Sequence, residues 1–166
     1  YNPGDWQTEG RSLERRSADL PGWFPENWGA STHPDGFTPG EANRPEADAD
    51  PPALLTTRFT SDRSMVSRFS ERLGDPDHPG TLMPPRFRIQ SDHPVERWHA
   101  DGDSLRLEFA AHVNPDEQVT VRYLDVADLF GNAVAELAAT LRYHQFPEVP
   151  GRSRIVLNEF RVSPAG

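Results

Sequence analysis

Two groups of oxygen-bearing side chains have the types and spacing for chemistry. Asp101 and Asp103 stand two apart in HADGDS, and Asp125, Asp128 and Asn132 gather within LDVADLFGNAV. Hard cations take carboxylate and amide oxygens from closely spaced loop residues, so Ca2+ is the ligand such groups suit. Neither group has the spacing of an EF-hand loop. Asp, Asn and Gly are also the residues that tight turns choose unaided, so turn capping stands beside cation binding for both.

Aromatic side chains form the second set. Trp6, Trp23 and Trp28, with Phe24, punctuate an otherwise polar stretch rich in Pro and Gly. Indoles in such a setting either pin irregular backbone onto a core or offer an aromatic platform to a ligand such as a polysaccharide. His93 and His99 flank one turn, but a zinc site between them needs a third ligand that the sequence does not nominate. Arg11, Arg15 and Arg16 are the basic cluster. They lack interleaved aromatics and sit in a chain of net charge -9, which argues against nucleic acid as a partner. No nucleophile elbow, metalloprotease helix, phosphate-cradling loop or dinucleotide fingerprint occurs, and no residue is nominated as catalytic.

The elements that must position these residues read as strands. PRFRIQ, SLRLEF and QVTVRYL alternate apolar with polar residues, as strands with one wet face do. ALLTTRF and SMVSRFSERL are shorter β-like runs, and ERWHADGDSLRLEF reads as a hairpin about an Asp-Gly turn. AELAATLRYHQF has helix-forming Ala and Leu, yet its period of two over Leu137, Ala139, Leu141 and Tyr143 predicts a strand. Before residue 52, Pro and Gly break any helix, and only GRSLERR, centred on Leu13, reads as a strand. The fold class predicted is all-β: an immunoglobulin-like antiparallel β-sandwich preceded by an irregular, loop-rich N-terminal segment. No run of about eighteen apolar residues is present to cross a membrane as a helix. The chain lacks Cys, which excludes disulfides and thiolate metal sites. It begins without Met or a leader and therefore reads as a segment of something longer.

Residues 66–134 resemble the bacterial immunoglobulin-like domains first described in S-layer proteins. The likeness rests on Phe69-Ser70-Glu71 closing a strand and on the Asp-x-x-Gly-Asn turn formed by Asp128, Gly131 and Asn132. The loop GDPDHPGTLMPP is longer and richer in Pro than that pattern. A second resemblance lies in the flanks. Ser12-Leu13-Glu14-Arg15, Trp28 and the Thr-Pro-Gly-x-x-Asn run over 38–43 are similar to the closing half of a bacterial lamin-tail domain. SRIVLNEF, with Asn158-Glu159, is similar to the way that family begins. Residues 1–44 thus read as the end of a lamin-tail-like domain, 45–52 as a linker and 53–148 as the immunoglobulin-like domain. Residues 149–166 read as a linker and the first strand of a following lamin-tail-like domain, which either packs poorly or borrows the edge of residues 1–43.

These resemblances imply a non-catalytic module of a secreted or cell-surface bacterial multidomain protein. It would act as a spacer or adhesion region, its partners being neighbouring domains, surface proteins or polysaccharide. Two alternatives accompany that expectation. One is an accessory region of a secreted hydrolase or nuclease whose catalytic domain lies elsewhere; the other is a carbohydrate-binding module using the loop tryptophans.

Overall fold

The computed structural model describes residues 10–144. Its principal body is a β-sandwich. One sheet has the order β3 (Leu54–Ser61), β4 (Ser64–Phe69), β7 (Ser104–Phe109), β6 (Val95–Asp101); the other has β5 (Arg88–Ser91), β8 (Gln118–Ala127), β9 (Ala133–Arg142). Every pairing is antiparallel. The alternation read in the sequence decides which faces meet. Leu105, Leu107 and Phe109 of β7 and Met65 and Phe69 of β4 pack against Val119, Val121 and Tyr123 of β8, all of them buried. Their even spacing puts them on one side of a pleated strand, and each apolar side chain removed from water contributes roughly 2–3 kcal/mol.

Two local features adjust this pattern. The β6–β7 hairpin turns on Gly102-Asp103, one residue later than the Asp-Gly pair suggests, with Gly102 at φ 62°. On β8, Asp125 adopts φ 58°, a left-handed conformation that Asp tolerates better than bulkier residues. The alternation slips there, so Val126 and Ala127 are both buried. The segment with mixed helix and strand character is strand β9, with Leu137 and Leu141 half-covering the core rim.

The N-terminal segment is a small unit of its own. β1 (Leu13–Arg15) pairs with β2 (Trp28–Ala30), a strand absent from the sequence reading, and a single 3-10 turn at Pro25–Asn27 leads into it. Here the polarity of the strand is inverted. The residue of β1 that points inward is Glu14, whereas Leu13 is only half-buried. Its carboxylate accepts from Thr38 Oγ1 at 2.7 Å, the Arg44 backbone N–H at 2.5 Å and Ser12 Oγ at 3.2 Å, so the buried charge has donors in place of water. Asn27 is also fully buried and ties the loop: Oδ1 accepts from Ser17 N–H at 2.8 Å, and Nδ2 donates to Ser17 O at 3.0 Å and Leu20 O at 3.1 Å.

This unit docks on one end of the sandwich. Leu20 and Phe24 pack on Leu129, with Phe130 alongside, to form a second small apolar cluster. Ser17 Oγ donates to Gly80 O at 2.7 Å, and Asn132 Nδ2 donates to Asp48 O at 3.1 Å. The first half of the stretch read as a linker runs through this contact. Thr32 and Glu46 N–H groups bond to Arg44 O and Ala30 O respectively, so the backbone of 44–46 lies along β2 before the chain enters β3.

Candidate functional site

The long, Pro-rich loop after β4 and the turn between β8 and β9 are brought together by backbone pairing. Leu73 bridges Asp128, Gly74 N–H donates to Ala127 O at 2.9 Å, and Gly80 N–H donates to Leu129 O at 2.6 Å. Gly74 approaches so closely that a Cβ there would lie 2.3 Å from Asp128 O. The Phe-Ser-Glu end of β4 and the Asp-x-x-Gly-Asn turn, far apart in sequence, therefore face each other.

At their meeting point three carboxylates converge. Asp48, Glu71 and Asp128 each present an oxygen within 4.8 Å of the others. Asp128 is buried and fully engaged: Oδ1 accepts from the Phe130 and Asn132 N–H groups at 2.7 and 2.9 Å, and Oδ2 accepts from Asn132 Nδ2 at 2.8 Å. Gly131, at φ 87°, closes that turn. Asp48 has a cation, with Arg16 Nη1 3.6 Å from its Oδ2. Among the described residues Glu71 has only a long contact from Ser70 Oγ at 3.5 Å. Burial first, and then the neighbouring Asp128 and Asp48 charges, push its carboxyl up to about 7. Glu26 contributes a further negative charge. Its Oε1 lies 3.9 Å from Arg72 Nε, and its Oε2 is buried without a hydrogen-bond partner among the described residues.

Such a set of carboxylate oxygens has the donor chemistry of a hard-cation site, and equally that of a proton trap. Which of the sequence-predicted residues belong to it is clear. Asp128 is in the cluster, and Asn132 supports it by bonding both Asp128 and Asp48 O. Asp125 is not: it points to solvent and pairs with Arg88 at 2.7 Å. Nor do Asp101 and Asp103 form a cluster. Asp103 is held by Arg68 at 2.8 Å and Ser104 at 3.0 Å, while Asp101 is exposed. The two turns thus use their Asp residues mainly as caps and ion-pair partners. Local spacing does not single out Glu71, Asp48 and Glu26, because they arrive from three distant segments. The signal in the sequence, Glu71 within Phe-Ser-Glu and Asp128 within the Gly-Asn turn, is split between two separate motifs.

The aromatic candidates divide. Trp23 is 80% exposed and meets Phe24 edge-on at 6.2 Å. Trp28 is half-buried, its Nε1–H donating to Gly22 O at 2.8 Å. Trp6 and the strand expected around Ile155 to Val162 lie outside the described residues. Phe24 is the anchor, buried beneath the Arg72 guanidinium at 4.1 Å. The basic cluster is spent on backbone: Arg11 donates to Ser31 O and His33 O, Arg15 to Leu20 O, and Arg16 to Glu46 O and Glu26 O. His93 sits on the Phe109 ring and faces Glu117 and Ala111 O, whereas His99 lies on β6 opposite Arg106, so the two share no ligand position.

Comparison with protein-family models, with curated proteins and with solved structures returned no match.

Proposed function

We propose that the chain is a non-catalytic, immunoglobulin-like β-sandwich module of a secreted or cell-surface multidomain protein, working as a stiff spacer or interaction region. The observation that carries this reading is the manner in which the N-terminal unit is joined to the sandwich. The joint combines an apolar contact of Leu20 and Phe24 on Leu129 with hydrogen bonds from Ser17 and Asn132, and two guanidiniums lie over aromatic rings: Arg72 over Phe24, and Arg16 over Phe130 at 5.5 Å. Apolar burial, directional bonds and cation–π contacts in one joint resist both bending and sliding. That is the mechanical property a spacer in a tandem array needs, and it requires no catalytic group.

The test is mechanical and hydrodynamic. Small-angle scattering should return one particle with the N-terminal unit against the sandwich. Pulling between residues 12 and 142 should give one principal rupture from the sandwich, preceded by release of the N-terminal unit. A freely jointed pair of units in scattering would reject the spacer reading.

A second reading is favoured by the exposure of Trp23. A bare indole next to a rigid joint is a surface on which a sugar ring can stack. Quenching or blue-shift of indole fluorescence on adding soluble polysaccharides, lost in Trp23→Ala, would support a carbohydrate-binding role. An unchanged spectrum across a panel of neutral and acidic polysaccharides would dismiss it.

A further inference from the structure

The joint between the two units contains more negative charge than it can neutralise, and the excess is placed across the contact. Asp48 and Glu26 come from the N-terminal unit and the strap that follows it; Glu71 and Asp128 come from the sandwich. The cations facing them are Arg16, 3.6 Å from Asp48, and Arg72, 3.9 Å from Glu26. Asp128 is satisfied by three N–H donors from its own turn. Among the described residues Glu71 has neither a cation nor a backbone N–H as a hydrogen-bond or ion-pair partner. It is the member of the group on which a proton is cheapest to place, because a carboxylic acid there converts a repulsion into a donor O–H beside two acceptor carboxylates.

We propose that Glu71 makes the docking of the N-terminal unit proton-linked: protonated, it fastens the unit to the sandwich, and ionised, it loosens it. This deepens the spacer reading by giving the joint two stiffnesses, but it rests on the contact itself and stands whether or not the module works as a spacer. The sign follows from linkage. Glu71 is raised from its ordinary 4.5 to about 7 in the docked state, and the share of that rise due to Asp48 and Glu26, which docking brings beside it, is gained on docking, so docking takes up a proton within that range. The joint is tightest in mildly acidic solution and weakens as pH rises through neutrality. The charged groups around Glu71 are Asp128 of its own unit, Asp48 and Glu26 from across the contact, and the Arg16 and Arg72 guanidiniums that pair with Asp48 and Glu26.

The experiment uses the whole chain with Trp98→Phe, so that the remaining indoles all precede residue 45 and the half-buried Trp28 of β2 reports the N-terminal unit. Release of that unit is followed by fluorescence in urea at pH 5.5 and pH 8. The release equilibrium should rise about fivefold over this interval, a discounted fraction of what a fully buried carboxyl would give. Adding Glu71→Gln, a neutral isostere, should reduce the change to less than twofold. In the parent chain, a carbon-detected titration should find the Glu71 carboxyl changing near pH 7. Equal pH dependence in the Gln variant, or a Glu71 carboxyl titrating near 4.5, overturns the proposal. So does a millimolar Ca2+ addition at pH 8 that fastens the joint more than acidification does, since the cluster would then be a cation site. Loss of the spacer behaviour with the titration intact would strike the function and leave this inference standing.

Discussion

The Tyr123 hydroxyl lies 2.5 Å from the Ser67 hydroxyl, in a hydrogen bond that joins the two sheets through the middle of the core. Tyr123 is fully buried, and Ser67 also meets Thr57 Oγ1 at 3.0 Å. The pair is therefore asymmetric. Ser67→Ala strands the phenol in an apolar interior and should cost about 1–3 kcal/mol, whereas Tyr123→Phe leaves Ser67 its Thr57 contact and should cost about 1 kcal/mol. Urea unfolding of both single variants and the double variant tests this. The double should be no less stable than Ser67→Ala alone, since it has no orphaned phenol.

The same burial pushes the Tyr123 phenol up to about 12 from its ordinary 10.0. A raised folded-state value means that its stabilisation is complete below pH 10 and is lost as pH climbs through 12. Alkaline melts should show Tm falling steeply in that window, and Tyr123→Phe should flatten the part of the fall that belongs to this phenol. An identical alkaline profile in the Phe variant would place the loss elsewhere.

Glu14 should behave in the opposite sense. Burial alone pushes its carboxyl up, but hydrogen bonds from Thr38, the Arg44 N–H, Ser31 and Ser12 prevail and hold it below its ordinary 4.5. A depressed folded-state value gives stability that is present above 4.5 and is lost as pH falls below it. Glu14→Gln replaces an oxygen that accepts with an NH2 that faces donors. It should lower Tm at pH 7 and shrink the further loss on going from pH 5 to pH 3. Amide exchange at Arg44, whose N–H bonds to Glu14, should accelerate in the same variant.

How much of this could be read beforehand depends on the range of the interaction. The alternation of Leu105, Leu107 and Phe109 or of Val119, Val121 and Tyr123 is local, and it is enough to place strands and their inner faces. It also resolves β9, where Ala and Leu favour a helix but period two decides. Glu14 shows where local pattern misleads. A charged residue between two half-buried neighbours reads as a wet face, and only the loop of 38–44, folded back over β1, supplies the donors that let it be buried. The carboxylate cluster was hidden for the same reason. Asp48, Glu71 and Asp128 have no common spacing, and the backbone pairing of Leu73 with Asp128 that assembles them is a tertiary event.

Gly74 is the residue that makes that pairing possible, and the reason is contact rather than conformation. Gly74→Ala would drive a methyl group to 2.3 Å from Asp128 O and 2.8 Å from the Leu129 Cα, and its three nearest neighbours are all backbone atoms, with no flexible side-chain end to yield. The expected cost is about 3 kcal/mol or more, with the Glu71–Asp128 cluster displaced. Gly40→Ala is the matched comparison: φ is 74° but a Cβ there meets nothing within 4 Å among the described residues, so only backbone strain of about 1 kcal/mol is expected. Denaturant midpoints that place the two variants level would contradict the close approach at Gly74.

Trp23 and Phe24 are adjacent aromatics whose roles should separate cleanly. Phe24 is buried against Leu20 and Leu129 with the Arg72 guanidinium over its ring, so Phe24→Ala removes the centre of the small cluster and leaves Arg72 facing a void. A cost of about 3–5 kcal/mol is expected from the lost burial and cavity. Because the cluster is what couples the two units, the loss should surface as separate melting: the N-terminal unit released at low urea, the sandwich unfolding later near its original midpoint. Trp23 stands in water, and Trp23→Ala should shift stability by no more than about 0.5 kcal/mol. Two transitions in the Phe24 variant beside an unaltered Trp23 variant would show that the buried ring holds the joint and that the exposed indole is free for other use. One cooperative transition in both would mean that the units are held together by the hydrogen bonds of Ser17 and Asn132 instead.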